Sequence, residues 1–127
     1  MKYKRFVVCP YHLGQGAGDG SYAEGELNAF LASGVEICKT ELRATGDTKD
    51  FLIGIFFLYD EVADKGSAAR GPLRARLTVN RISDRDADGG EQKTNEFLDE
   101  VRVREIFSAF VGSAFPHVGI VTLILYR

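Results

Sequence analysis

Residues Phe51–Tyr59 read Phe-Leu-Ile-Gly-Ile-Phe-Phe-Leu-Tyr, nine positions with no charge and no polar/apolar alternation. A half-buried strand alternates, because successive side chains point to opposite faces. This segment offers apolar groups to both, so the sheet that holds it needs cover on both sides. It is far too short for a membrane helix, which takes about 20 apolar residues. Whatever the chain folds into, Phe51–Tyr59 is its strongest strand and the centre of its burial problem.

The rest of the composition suits one domain. The chain has 127 residues, of which 45% are hydrophobic and 27% charged, with a formal net charge of −2. A chain of this size buries roughly two-thirds of the surface it exposes when unfolded and needs no disulfide staples. The apolar fraction excludes intrinsic disorder. The near-neutral charge argues against binding nucleic acid by bulk electrostatics. The N-terminus is basic, but its apolar run stops at Pro10, too early for a signal peptide. Two cysteines, Cys9 and Cys38, form no Cys-x-x-Cys motif and are too few for a secreted disulfide framework. The expected setting is reducing and cytoplasmic, with no membrane partner.

Strand signals come first and last. Lys4–Cys9 is a strand bounded by Pro10, and Val35–Ala44 is another that forms a hairpin with Phe51–Tyr59 across the Gly46 turn. Leu73–Ile82 alternates: Leu73, Ala75, Leu77 and Val79 face the core, while Arg74, Arg76, Thr78 and Asn80 face out. His117–Tyr126 is an apolar closing strand. Between the first two strands lies a helix. Ser21 and Glu24 make a capping box, Ala23, Leu27, Phe30 and Leu31 fall on one helical face, and Gly34 is the stop. Segment 96–115 is ambiguous. Phe97–Val103 is taken as a strand pairing with Leu73–Ile82, and Arg104–Ala114 as a helix from the spacing of Ile106, Phe107, Phe110, Val111 and Ala114. One long kinked helix is the alternative. No internal repeat stands out.

This order predicts an α+β, ferredoxin-like fold: a split βαβ sheet with two helices on one face and an inserted hairpin. The other face then requires a second copy of the chain or a partner protein, with Phe56 and Leu58 as the expected contact.

Few features carry chemistry. The loop Gly14–Gly20 sits between a strand and a helix N-terminus, where backbone donors favour an anion, yet Asp19 stands where a dinucleotide fingerprint needs its third glycine. Asp84, Asp86 and Asp88, followed by Gly89, match the first half of a calcium loop. The twelfth position is Asn95 where a bidentate Glu belongs. An acidic, solvated hairpin tip is the expected reading, with an ion site as the alternative. Arg74 and Arg76, with Thr78 and Asn80, form a polar strand face whose arginines are expected to pair with Glu96, Asp99 or Glu100 on a neighbouring strand, with contact to phosphate or RNA as the alternative. No aromatic residues interleave with those arginines, as stacking on RNA bases would need. Cys9 and His12 lie close enough in sequence for a thiol nucleophile, but no third group orients them. Cys9, Cys38, His12 and His117 match no closed zinc-site spacing. Both thiols are therefore expected as buried core residues, and no cofactor is implied.

The N-terminal half carries one resemblance. Tyr3–Val8, Ala23–Leu31 with its Glu26-Leu27-Asn28-x-Phe30-Leu31 core, Val35–Leu42, the Gly46 turn and Phe51–Tyr59 follow a family pattern. It resembles small bacterial proteins encoded near the reverse transcriptases of diversity-generating elements, often joined to a helicase-type nucleic-acid domain. The tryptophan usual in that family's third strand is missing here, and no helicase-type segment follows Asp60. The resemblance implies an accessory role beside a nucleic-acid enzyme and supplies no catalytic residues.

The expected function is thus a non-catalytic, oligomerising interaction module, an accessory to a nucleic-acid enzyme in its sharper form. The alternative is a small-ligand or metal-binding domain using Gly14–Gly20 or Asp84–Asp88. No nucleophile, base and orienter come together in the sequence, so no enzyme is expected.

Overall fold

A computed structural model describes residues 1–9, 21–46, 50–61, 72–81, 87–112 and 118–127, except for the side chains of 21, 22, 81 and 87–90. Eight elements run in the order β1 (Lys2–Val8), α1 (Ser21–Leu31), β2 (Val35–Gly46), β3 (Phe51–Glu61), β4 (Arg74–Arg81), α2 (Ala87–Glu100), β5 (Val103–Val111) and β6 (Gly119–Tyr126). The protein is α+β, with two helices and two separate three-stranded antiparallel sheets. Sheet A has the order β1-β3-β2 and sheet B the order β4-β6-β5. Among the described residues no helix is long and apolar enough to cross a membrane.

Two sheets replace the expected single one. The β2–β3 hairpin forms as its turn chemistry directs. β4 pairs with β6, however, and the segment expected to pair with β4 begins inside α2. The inserted hairpin and the arrangement of both helices on one face are therefore not what forms. Arg104–Ala114, expected as a helix, is largely β5. Its apolar spacing fits two periods at once. In the strand Phe107, Ala109 and Val111 turn inward while Ile106 and Phe110 turn out. The acidic segment around Gly89-Gly90 lies in α2, a helix with so sparse an apolar face that its sequence resembles a loop.

The two halves are a structural repeat. Each runs strand, helix, strand, strand, and in each the third strand lies between the other two. Tyr59 stands opposite Lys2 and Ile37, and Tyr126 stands opposite Arg74 and Val103. Immediately beyond, a bulge inserts Cys38 in β2 and Arg104 in β5. The Phe30 ring meets Tyr59 at 5.1 Å and 87°, while Phe97 meets Tyr126 at 5.1 Å and 86°. A cation lies over each phenylalanine: Lys4 Nζ is 6.0 Å from the Phe30 centroid and Arg76 Cζ is 4.3 Å from that of Phe97. β2 ends on Gly46 and Gly112 directly follows β5, both glycines having φ of 96°, and the Gly112 N–H donates to the Gly46 carbonyl at 2.8 Å. The sequence carries this repeat as Glu24-x-x-x-Asn28-x-Phe30-Leu31 and Glu91-x-x-x-Asn95-x-Phe97-Leu98.

The halves pack front to back. Ala23, Leu27 and Leu31 of α1, Ile53, Ile55 and Phe57 of β3 and Leu42 of β2 share one core with Leu77 of β4, Val111 of β5 and Val121, Leu123 and Leu125 of β6. The helix side of sheet A thus holds the opposite side of sheet B. β3, apolar from Phe51 to Tyr59, is buried on one face only: Phe51, Ile53, Ile55 and Phe57 are closed off, while Leu52 is 50% exposed.

Candidate functional site

α1 follows its sequence signals, starting at Ser21 and stopping before Gly34 at φ of 83°. Glu24, expected in the cap with Ser21, also has a partner outside its own helix. Its Oε1 accepts the backbone N–H of Leu77 on β4 at 2.7 Å. One turn on, Asn28 Oδ1 accepts the Ala75 N–H at 2.7 Å and its Nδ2 donates to the Ala75 carbonyl at 3.2 Å. β4 is an edge of sheet B, and its outward backbone groups would otherwise be unmatched. α1 is therefore a clamp on a strand edge, built from residues that no chemical motif marks.

The outer face of sheet A is an open apolar surface among the described residues. Tyr3 and Val7 of β1, and Leu52, Phe56 and Leu58 of β3, lie on it, with Tyr3 and Val7 more than half exposed. Tyr3 stacks on Phe56 at 6.3 Å, and these rings with Lys39, Glu41 and Leu58 line a shallow cavity of about 150 Å³. The Phe56 ring lies over Gly54 and fills the space a Cβ would take there. Lys39 and Glu41 form a salt bridge of 3.2 Å along one side. Phe56 and Leu58, the contact expected from the sequence, both lie on this face, Phe56 half-buried and Leu58 exposed. The sequence does not mark Ile106 and Phe110 on β5, which the fold leaves 46% and 69% exposed.

The arginine face forms with the expected alternation: Arg74 and Arg76 are exposed, and Thr78 and Asn80 are half-buried. The Arg76 guanidinium is taken by the Phe97 ring of α2. Among the described residues no salt bridge joins Arg74 or Arg76 to Glu96, Asp99 or Glu100, which lie on α2 and not on a neighbouring strand.

Gly14–Gly20, His12, His117, Asp84 and Asp86 lie outside the described residues. Asp88 falls in the first turn of α2, and its side chain is not among those described. Among the described residues no group of His, Cys, Asp and Glu could hold a metal. Cys9 is half-buried, and Cys38 is exposed in the β2 bulge, which corrects its assignment to the core. Partial desolvation, then a hydrogen bond and negative charge from Asp60, push the Cys38 thiol up, with Glu36 adding to the effect. Asp60 is itself held below the usual carboxylate range by the Met1 amine 3.2 Å away and by Cys38. A thiol so raised is a poor nucleophile.

What this arrangement offers is surface: an open apolar sheet face, an exposed apolar edge and helix side chains that bind backbone. No family model, curated protein or solved structure matches the chain.

Proposed function

We propose that this protein is a non-catalytic interaction module that self-associates through the outer face of sheet A. One observation carries this: a sheet whose central strand is apolar on both faces has only one face covered, leaving Tyr3, Val7, Leu52, Phe56 and Leu58 together in water. Contiguous exposed apolar side chains of this kind mark protein contacts. The strand order of each half supports relating it to the split βαβ element of ferredoxin-like domains. The accessory role beside a nucleic-acid enzyme rests on the N-terminal resemblance, and exposed Arg74 supports it only modestly while Arg76 is engaged by Phe97. The test is the mass in solution by light scattering at micromolar concentration. An assembly larger than one chain that Phe56→Asp dissociates, with the circular dichroism spectrum unchanged, supports the module. A wild-type monomer with no bound partner refutes it.

A further inference from the structure

The repeat leaves each half with one surface whose counterpart is already in use. In the first half, the helix side of sheet A buries Thr40 and Leu42 of β2 beneath the back of sheet B. Register places Ile106, Ser108 and Phe110 of β5 at the positions of Thr40, Leu42 and Ala44 in β2, yet Ile106 and Phe110 face solvent. α2 agrees: none of its residues from Glu91 to Glu100 is fully buried, whereas α1 buries Ala23, Leu27 and Leu31. On the helix side of sheet B, Thr122 and Ile124 of β6 are buried, but the β5 portion lacks the cover that its twin possesses.

The missing cover is present elsewhere on the molecule. The back of sheet B, which fills the first socket, presents Ala75, Leu77 and Val79 of β4 with Leu123 and Leu125 of β6. The matching positions in sheet A are Tyr3, Arg5 and Val7 of β1 with Phe56 and Leu58 of β3. That is the open outer face. β1 is an edge strand as β4 is. Glu91 and Asn95, which correspond to the clamp residues Glu24 and Asn28, are exposed on α2.

We propose that copies of this chain associate head to tail, the helix side of sheet B in one copy seated on the outer face of sheet A in the next. Glu91 and Asn95 then grip the β1 edge of the second copy, at Arg5 and Tyr3, as Glu24 and Asn28 grip Leu77 and Ala75 within one chain. By the same correspondence Ile106 and Phe110, which stand where Thr40 and Ala44 stand in β2, meet Phe56 and the β2 side of that face at Glu41 and Arg43. Such a contact uses two different surfaces, so it is heterologous and propagates from copy to copy, closing into a ring where the rotation per copy allows and extending as a filament where it does not. This inference rests on the self-association proposed above and specifies its geometry.

Complementation tests it. Phe110→Asp breaks only the socket and Phe56→Asp only the opposing face; Tyr3→Asp, at a more exposed position, stands in if Phe56→Asp fails to fold. Light scattering should give an assembly for the wild type and a monomer for each variant alone. An equimolar mixture should recover a species of two chains, because each variant retains the surface the other lacks. A single contact is weaker than a closed ring, so the mixture is measured at about 100 µM. Asn95→Ala should weaken association about tenfold through its lost backbone bonds. A wild-type assembly that Phe56→Asp dissociates and Phe110→Asp leaves intact overturns the head-to-tail arrangement and spares the module. A mixture that stays monomeric overturns it as well. A monomeric wild type overturns both.

Discussion

Asn28 and Asn95 occupy the same place in a repeated motif, and the fold gives them unequal weight in the stability of one chain. Asn28→Ala removes two hydrogen bonds to the Ala75 backbone, at 2.7 and 3.2 Å, in a part-buried setting. A hydrogen bond contributes about 0.5–1.5 kcal/mol net, so the pair accounts for roughly 1–3 kcal/mol. The abandoned N–H and C=O on β4 are partly closed off from water and raise the cost. The better helix propensity of alanine offsets about 0.5 kcal/mol of it. The expected loss is about 2 kcal/mol. In urea, with a slope of about 2 kcal/mol/M, that moves the unfolding midpoint down by roughly 1 M without changing the slope. Asn95 is exposed, so Asn95→Ala should shift the midpoint by less than a quarter of that. Both variants are best compared in the Phe110→Asp background and at one protein concentration, since assembly adds its own stability. Asn28→Asp should fall between, because it keeps the acceptor for the Ala75 N–H and loses the donor. A loss below about 0.5 kcal/mol for Asn28→Ala would refute the clamp as a stabilising contact.

Leu27 is fully buried in the shared core, so Leu27→Ala should lower unfolding stability by about 3–5 kcal/mol in chemical denaturation. Gly46→Ala should be costlier than the usual glycine replacement of about 1 kcal/mol, because φ is 96° and the new Cβ would meet the Asp50 carbonyl; thermal melting reads the loss. Alkylation of Cys38 should be slow at pH 8 and should rise with pH along a curve displaced above that of an ordinary thiol, since only the thiolate reacts and its formation is opposed. Asp60→Asn removes an acceptor and a negative charge, so it should move that curve down and speed alkylation at pH 8. An unchanged rate would refute the role given to Asp60.

Several elements could be read locally because a single signal dominates each. β4 alternates so cleanly that the inward turn of Leu73, Ala75 and Leu77 follows from the period of a strand. α1 has a cap, a face and a glycine stop, and all three agree. α2 has none of these in strength. Phe97 and Leu98 are only half-buried, so burial left little trace in its sequence. β5 misleads because Ile106, Phe107, Phe110 and Val111 satisfy helical spacing, while the exposed apolar Ile106 and Phe110 mask the strand alternation of Phe107, Ala109 and Val111. The repeat was legible in Asn28-x-Phe30-Leu31 and Asn95-x-Phe97-Leu98, but unequal burial of the two helices hides it from hydrophobic patterning.

Sequence by itself determined the composition of a single α+β chain, the β2–β3 hairpin, the helix after Ser21 and the surplus of apolar surface on Phe51–Tyr59. Each depends on contacts a few residues apart or on the character of one segment. Tertiary structure decided which strands share a sheet, which face of β3 is buried, and that Glu24 and Asn28 serve a strand edge some fifty positions away. Those outcomes depend on which surfaces meet when two similar halves pack front to back. Short-range periodicity is the same for a face that finds its cover within the chain and for one that does not.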